Sequence, residues 1–147
     1  MVQKVRNPEY EAAVRASFLR QGLMGTLGAW LVDVSPGSVT IEVPHAKKVT
    51  QQQGFFHGGV AGAIADSAGG YAALSLMPAG SEVLTVEYKI NFVRPAVGPL
   101  LRAKGEIIRA GKTLLIGRVD VLCGQSDALD VCAIAQETYM RLDPAAP

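Results

Sequence analysis

The chain has 147 residues, of which 49% are hydrophobic, enough for one domain with a substantial core and too few for two. We therefore expect a single domain over residues 1–147. The formal net charge of +1 excludes a strongly basic or acidic surface, so we predict neither a nucleic acid nor a membrane as a partner. The first residues contain no apolar run of the kind found in signal peptides, and we expect the protein to be cytoplasmic.

The first predicted element is a helix over about residues 8–22. Asn7 would cap it, Pro8 would lie in its first turn and Gly22 would end it. An apolar stripe that begins at Tyr10 and recurs every four residues predicts a packing face for this helix. The main body of the domain would then follow, over about residues 25–142.

Residues 29–44 predict a β-hairpin. Two β-rich runs are joined by a Ser-Pro-Gly-Ser turn at residues 35–38, and the second run alternates apolar and polar side chains. Residues 45–53 are polar and predict a loop that leads into the next element.

Residues 58–77 contain Ala, Gly and apolar residues almost without interruption, and Pro78 and Gly80 follow, as is typical beyond a helix end. A segment of about 20 residues that is apolar on all sides is either a membrane span or a helix buried in a core. Its five glycines between residues 58 and 70, its single carboxylate and the absence of flanking basic residues favour the core. We therefore predict a central helix that other elements wrap.

Asp66 is the only formal charge in that helix. A carboxylate in apolar surroundings costs several kcal/mol unless it is paired, hydrogen-bonded or solvated. One interpretation is that Asp66 bonds another backbone segment or touches water. The other is that Asp66 is a catalytic carboxylate whose pKa is tuned by its surroundings.

His57-Gly58-Gly59 begins the central helix. Glycines at this position leave the first amide N–H groups unobstructed, and those donors together with the helix dipole suit a carbonyl oxygen that becomes negative. The same pattern is also typical of a flexible junction between a loop and a helix.

His57 and Asp66 are nine residues apart, about 900° at 3.6 residues per turn, which places them on opposite helix faces. They cannot form a His–Asp pair within one helix. If both serve one site, they come from different copies of the chain, so the sequence predicts an active site at a two-fold interface.

Four strand-like segments follow, over residues 82–93, 99–109, 112–123 and 129–141, with turn signals between them. The order predicts an α+β domain, an antiparallel sheet wrapped around one helix, whose edges could be paired in a dimer. Cys123 and Cys132 lack the spacing of metal ligands, and we predict buried thiols and no metal site.

These residues together resemble the PaaI-like acyl-CoA thioesterases of the hotdog-fold superfamily. The resemblance covers about residues 25–142. It is carried by Gln51, by His57-Gly58-Gly59, by Asp66, by the run Leu-Thr-Val-Glu-Tyr-Lys-Ile-Asn-Phe at residues 84–92 and by Arg94-Pro95-Ala96-x-Gly98. It implies a single hotdog domain with an extra N-terminal helix.

The resemblance also implies a role for each site residue. Asp66 would be the general base or nucleophile, and the Gly58 N–H would polarise the thioester carbonyl, with Gly59 assisting. Gln51 would hold the thioester, and His57 would orient the loop or the thioester. Thr85 would orient the attacking water, although a Thr in a strand is also explained by its β-propensity.

Substrate contacts follow from the same resemblance. Apolar pocket candidates are Phe55, Phe56, Tyr71, Leu74 and residues 23–30, which suit either an aromatic ring or an alkyl chain. Basic candidates for the coenzyme A phosphates are Arg94, Arg102, Arg109 and Lys112, of which Lys112 matches best.

The expected function is therefore hydrolysis of an aryl-CoA or a medium- to long-chain acyl-CoA, with coenzyme A as part of the substrate and no other cofactor. The resemblance implies a homodimer that forms the active site, and a homotetramer built from it. Two alternatives stay open, a hotdog hydratase or dehydratase and a non-catalytic acyl-CoA-binding protein.

Overall fold

The computed structural model of the protein describes residues 3–144. Helices and strands follow one another as α1 (Tyr10–Leu19), α2 (Gly22–Leu27), β1 (Trp30–Ser35), β2 (Ser38–Pro44), α3 (Gly58–Leu74), β3 (Glu82–Phe92), β4 (Leu100–Ala110), β5 (Leu114–Gln125) and β6 (Ala128–Leu142). A short 3-10 turn, Lys47–Val49, interrupts the loop before α3. None of the helices in residues 3–144 combines the length and apolar character that crossing a membrane requires.

The six strands form one antiparallel sheet in the order β1-β2-β4-β5-β6-β3. The sheet wraps around α3, which contacts β2, β3, β4, β5 and β6. The predicted α+β arrangement, an antiparallel sheet around one buried helix, is confirmed. Because β3 pairs only with β6, its other edge carries no strand partner within residues 3–144.

Small residues let α3 lie close to the sheet. Thirteen of its seventeen residues are buried, as its uniformly apolar sequence predicts. A Cβ atom on Gly105 of β4 would lie 2.7 Å from the carbonyl atoms of Ala68, so only glycine permits this approach. The helix ends at Leu74, and the buried run continues through Ser75, Leu76 and Met77.

The N-terminal helical region differs from its prediction. Gly22 does not end a helix over residues 8–22 but begins a second one, α2. The break lies at Gln21, whose backbone is extended, and α2 ends at Gly28, whose φ of 72° is readily adopted by glycine. Burial of Met24 and Leu27 holds this short glycine-containing helix in place, and propensity alone does not reveal it.

Candidate active site

Asp66 lies half-buried on α3, facing β3. Thr85 of β3 donates its hydroxyl to Asp66 Oδ1 at 2.5 Å. Within residues 3–144 no Lys, Arg or His side chain forms an ion pair with Asp66. The carboxylate is therefore stabilised by a neutral donor and partial solvation, and one of its oxygens stays open to the cavity beside it.

The start of α3 presents one open amide. The backbone of His57 is extended and its Nδ1 atom accepts the Gly59 N–H at 2.8 Å. The next two N–H groups, of Val60 and Ala61, both bond to the His57 carbonyl oxygen. Only the Gly58 N–H among these first donors has no hydrogen-bond partner in residues 3–144, so it is the donor free to bind an oxygen atom.

A cavity of about 440 Å³ opens at this amide. It brings together several residues that the sequence singles out, and its lining includes Gln51, Phe55, Phe56, Gly58 and Arg94. The Gln51 side-chain oxygen accepts the Phe55 N–H at 3.3 Å and also the Gln53 N–H. The Gln51 amide thus shapes the loop at the rim of the cavity.

A second cavity, of about 190 Å³, lies beside Asp66 and Thr85. Tyr71 is buried there and accepts a hydrogen bond from Gln21 Nε2 at 2.8 Å, and its hydroxyl lies 3.2 Å from Ser17 Oγ. Gln21 and Ser17 come from the N-terminal helical region. Sequence reasoning did not single out either residue, because their positions next to Tyr71 depend on how that region folds back on α3.

Gly58 and Asp66 are kept apart by distance along the helix. Eight residues separate them, about 12 Å at 1.5 Å per residue, but only about 80° around the helix axis. The sequence places His57 and Asp66 on opposite helix faces, but this half-turn does not separate the open amide from the carboxylate. His57 is the extended cap residue and lies outside the helix. The open amide and the carboxylate thus share one flank of α3 yet cannot hold one carbonyl group and its attacking water.

Strand β3 covers that flank from end to end. Phe92 lies over Gly58, where an added Cβ atom would be 3.0 Å from its ring, and Tyr88 Oη lies 3.1 Å from the same position on Gly62. At the other end of this flank, Thr85 lies against Asp66 and donates a hydrogen bond to it. Both aromatic side chains stay about half exposed, at 56% for Phe92 and 46% for Tyr88, so this flank is incompletely covered in a single chain.

The basic candidates lie at different places. Arg94 pairs with Asp130 at 3.3 Å on the surface, at the Gly58 end of β3. Lys112 is exposed in the turn between β4 and β5, near the Asp66 end, since Leu115 and Thr85 both pair with Tyr139. Arg102 is held by the buried carboxylate of Glu42, which gives it a structural partner.

A buried acidic residue lies close to this site and was not identified from the sequence. Glu137 of β6 is 1% exposed, and Tyr139 Oη donates to its Oε2 atom. Desolvation raises the pKa of Glu137 to about 7, the Tyr139 hydrogen bond opposes this rise, and the charge of Asp66 adds to it. Strand alternation places four residues on one face of β6: Ala133, Ala135, Glu137 and Tyr139. A glutamate on this otherwise apolar face is the sequence feature that could have identified Glu137 as a buried acid.

Both cysteines lie in the core. Cys123 and Cys132 are buried free thiols, as predicted, and desolvation raises the pKa of Cys132 to about 12. Residues 3–144 contain no cluster of three or more His, Cys, Asp or Glu side chains that could hold a metal ion.

Comparison with protein families and solved structures finds the same architecture elsewhere. The Thioesterase superfamily matches residues 53–128, just over half of the chain. A crystal structure of a thioesterase family protein from Silicibacter pomeroyi is 39% identical, with a TM-score of 0.88, over 91% of this chain and 98% of that one. The Escherichia coli PaaI protein from the phenylacetic acid degradation operon is 18% identical, with a TM-score of 0.82, over 95% and 97%, which is a likeness of fold.

Two curated relatives are similar in sequence. A provisionally named esterase of Halobacterium salinarum is 32% identical over 106 residues, which are 69% of this chain and 70% of that protein. The 1,4-dihydroxy-2-naphthoyl-CoA hydrolase of Listeria monocytogenes is 27% identical over 100 residues, which are 68% of this chain and 81% of that protein.

Proposed function

Because this chain belongs to the Thioesterase superfamily and is a thioester hydrolase, we propose that it hydrolyses acyl-CoA at sites built between two copies of itself. In each site Asp66 of one copy acts on a thioester whose carbonyl oxygen is bound by the Gly58 N–H of the other copy. The observation that carries this proposal is the position of an open amide and a half-buried carboxylate on one exposed flank of a helix, too far apart to act together within one chain.

The free edge of β3 supplies the interface. This strand has eleven residues, its outer edge has no partner in the described residues, and several of its apolar side chains are about half exposed. Such an edge invites pairing with another strand. An isologous dimer that pairs two β3 strands antiparallel buries the edge and its apolar side chains in one step.

The same pairing completes the site. Thr85 marks the Asp66 end of β3, and Phe92 marks the Gly58 end. A two-fold axis near the middle of the strand brings Thr85 of one copy beside Phe92 of the other. Asp66 of one copy then lies beside the Gly58 amide of its partner, and the dimer contains two such sites.

Coenzyme A phosphates would bind at the ends of the paired strands. Lys112 lies at the Asp66 end and Arg94 at the Gly58 end, so the antiparallel dimer brings Lys112 of one copy towards Arg94 of the other. Two cations at one mouth suit the phosphate groups of the nucleotide. With the nucleotide of coenzyme A bound at these two cations, the thioester would lie next to Asp66 and the acyl group would extend into the cavities.

The reaction is a transfer of the acyl group to water. Asp66 takes a proton from a water molecule that Thr85 orients, and the water oxygen attacks the thioester carbon. The oxygen of the tetrahedral intermediate is stabilised by the Gly58 N–H and by the N-terminal end of α3. Collapse of the intermediate breaks the carbon–sulfur bond, and the proton held by Asp66 passes to the departing sulfur, so that a carboxylic acid and coenzyme A are released and Asp66 is ionised again.

Asp66 can act instead as the nucleophile. Its carboxylate then attacks the thioester carbon to form a mixed anhydride, coenzyme A leaves, and water hydrolyses the anhydride. Both routes use the same groups. In both, His57 and Gln51 shape the pocket, since His57 engages the Gly59 N–H and Gln51 bonds its own loop.

An aromatic acyl group fits the sites best. The cavity beside Asp66 holds about 190 Å³ and has a polar wall of Ser17, Gln21 and Tyr71, which offers little to a long alkyl chain. The relative named as a naphthoyl-CoA hydrolase and the fold relative from a phenylacetic acid operon point to the same class. Medium- and long-chain acyl-CoA are the second choice.

A tetramer would form from two dimers. Ile108 and Ile134 stay exposed, at 61% and 38%, and both line a groove on the outer face of the sheet. Burial of this patch between two dimers gives the homotetramer that the sequence resemblance implies. Light scattering of the purified protein measures the assembly directly.

The test is a panel of acyl-CoA substrates assayed with a thiol reagent, run on the wild-type protein, on Asp66→Asn and on Asp120→Asn. Free coenzyme A is expected, with the highest kcat/KM for aryl-CoA. Asp66→Asn should lower kcat by about 10²- to 10⁴-fold with the oligomer intact. Asp120 lies in a surface ion pair with Arg118, so its replacement should leave kcat unchanged.

Three results would contradict the proposal. If Asp66→Asn keeps most of the wild-type activity, Asp66 is not the catalytic base or nucleophile. A hydrated product still attached to coenzyme A indicates a hydratase, and tight binding with no turnover indicates a binding protein.

A further inference from the structure

A carboxyl group with one bare oxygen lies in the core behind Asp66. Glu137 is 1% exposed, and its Oε2 atom accepts the hydrogen bond from Tyr139, which is fully buried. Its Oε1 atom has no partner within residues 3–144. A buried polar atom left unpaired lowers stability by about 1–3 kcal/mol, so packing alone does not account for a glutamate at this position.

The fold makes room for this pair beside the site. A Cβ atom on Gly69 would lie 1.7 Å from Tyr139 Oη and 2.9 Å from Glu137 Oε2, so a side chain there would displace both groups. Gly69 follows Asp66 by three residues, on the same side of α3. Across the sheet, Tyr139 pairs with Thr85, the residue that bonds Asp66.

We propose that Glu137 is a positioning residue that acts on the proton transfer to Asp66 through its own charge, and that Tyr139 controls when that charge forms. This inference rests on the proposed function of Asp66. A negative charge on Glu137 stabilises the proton that passes from the attacking water to Asp66 in the transition state. Proton transfer is therefore faster when Glu137 is ionised.

Few other titratable groups face Glu137. Asp66 faces it from α3, and Tyr139 from its own strand. Its neighbour on β3 is Tyr88, and its neighbour on β5 is Gly117, which carries no side chain. Because burial raises the pKa of Glu137 to about 7, its charge changes over the pH range in which the enzyme is assayed.

The test is the pH dependence of kcat/KM from about pH 5 to pH 9, with the best substrate of the acyl-CoA panel. Wild-type activity should rise about three- to tenfold as pH passes through about 7. Glu137→Gln, which has nearly the same shape, should lose this rise. Tyr139→Phe should move the rise to higher pH, because it removes the hydrogen bond that favours ionised Glu137.

A matched control replaces an exposed carboxylate. Glu106 pairs with Lys104 on the surface at 2.7 Å, so the profile of Glu106→Gln should superpose on that of the wild type. A role in packing alone would lower all rates without moving the midpoint. Profiles of Glu137→Gln and Tyr139→Phe that both keep the wild-type midpoint would overturn the inference.

A second measurement does not depend on the folding of Glu137→Gln. Carbon NMR of glutamate carboxyl groups follows the titration of Glu137 in the wild-type protein and in Asp66→Asn. Loss of the Asp66 charge should move the Glu137 midpoint to lower pH. If Asp66→Asn abolishes turnover and this midpoint stays fixed, the coupling is absent and the proposed function survives; if Asp66→Asn stays active, the proposed function fails first.

Discussion

The two flanks of α3 have opposite characters. Against β4 the helix is packed without space for a single methyl group, since Gly105 touches the backbone of Ala68. Against β3 it meets Thr85, Tyr88 and Phe92, all three of which are exposed. The β4 flank contributes close packing to the core. The β3 flank leaves polar groups and an unpaired strand edge exposed.

Because the two flanks differ, α3 can form part of the core and also carry the groups of the candidate site. The small, apolar residues of α3 let the helix pack closely against β4. Its single carboxylate and its open amide both lie on the β3 flank, where a second copy can approach. In the proposed mechanism the reaction takes place on the flank that a single chain leaves uncovered.

Among the substitutions that compare the two flanks, the largest expected effect concerns the open amide. Gly58→Pro removes the N–H, and the site tolerates proline because it is the first helical residue and His57 is already extended. Loss of this donor should raise the barrier by about 3 kcal/mol, a decrease of about 100-fold in kcat.

Gly58→Ala is the matched control, because it adds the same Cβ atom near Phe92 but keeps the N–H. It should retain most of the wild-type kcat. Equal losses in the proline and alanine variants would assign the effect to steric contact with Phe92 and not to the missing donor.

A pair of glycine substitutions compares the flanks in stability. Gly105→Ala places a Cβ atom 2.7 Å from the Ala68 backbone, whereas Gly62→Ala places one 3.1 Å from the hydroxyl oxygen of Tyr88, at the end of a half-exposed side chain. Gly105→Ala should lower the free energy of unfolding by about 1–3 kcal/mol. Gly62→Ala should be neutral or slightly stabilising, since alanine favours a helix. Denaturant unfolding measures the free energy of unfolding of both variants. Similar losses of stability in the two would show that the β3 and β4 flanks are packed equally tightly.

The smallest expected effect concerns Thr85. Thr85→Val keeps the shape and the β-propensity but removes the hydroxyl that bonds Asp66. A hydrogen bond to a charged group contributes about 1.5 kcal/mol, so kcat/KM should fall about tenfold. Thr85→Ser keeps the hydroxyl and should stay close to wild type; if valine and serine behave alike, the hydroxyl has no role in turnover.

The sequence predicted the tightly packed flank better than the open one. The run of Ala and Gly with stops at Pro78 and Gly80 is a local signal, and the alternation of the later strands predicts a sheet to cover it. Helix α2 escaped prediction because Gly22, Gly25 and Gly28 resemble loop residues, and its stability comes from tertiary burial of Met24 and Leu27.

Long-range neighbours on the open flank were predicted only in part. Thr85 and Asp66 were assigned to one site by the family resemblance, since spacing cannot show which strand faces which helix turn. Glu137 and Tyr139 were missed for the same reason. Strand alternation assigns them to a face, but the space they occupy exists because Gly69 lacks a side chain.

The central claim is that each site takes its amide from one copy of the chain and its carboxylate from another. Mixed dimers of Asp66→Asn and Gly58→Pro, formed by co-expression with two affinity tags, test it most directly. Each variant alone should be nearly inactive, but one of the two sites of a mixed dimer contains both native groups, so mixed dimers isolated through both tags should have about half of the wild-type activity. Mixed dimers as inactive as the two parents would show that both groups act within one chain and would contradict the account.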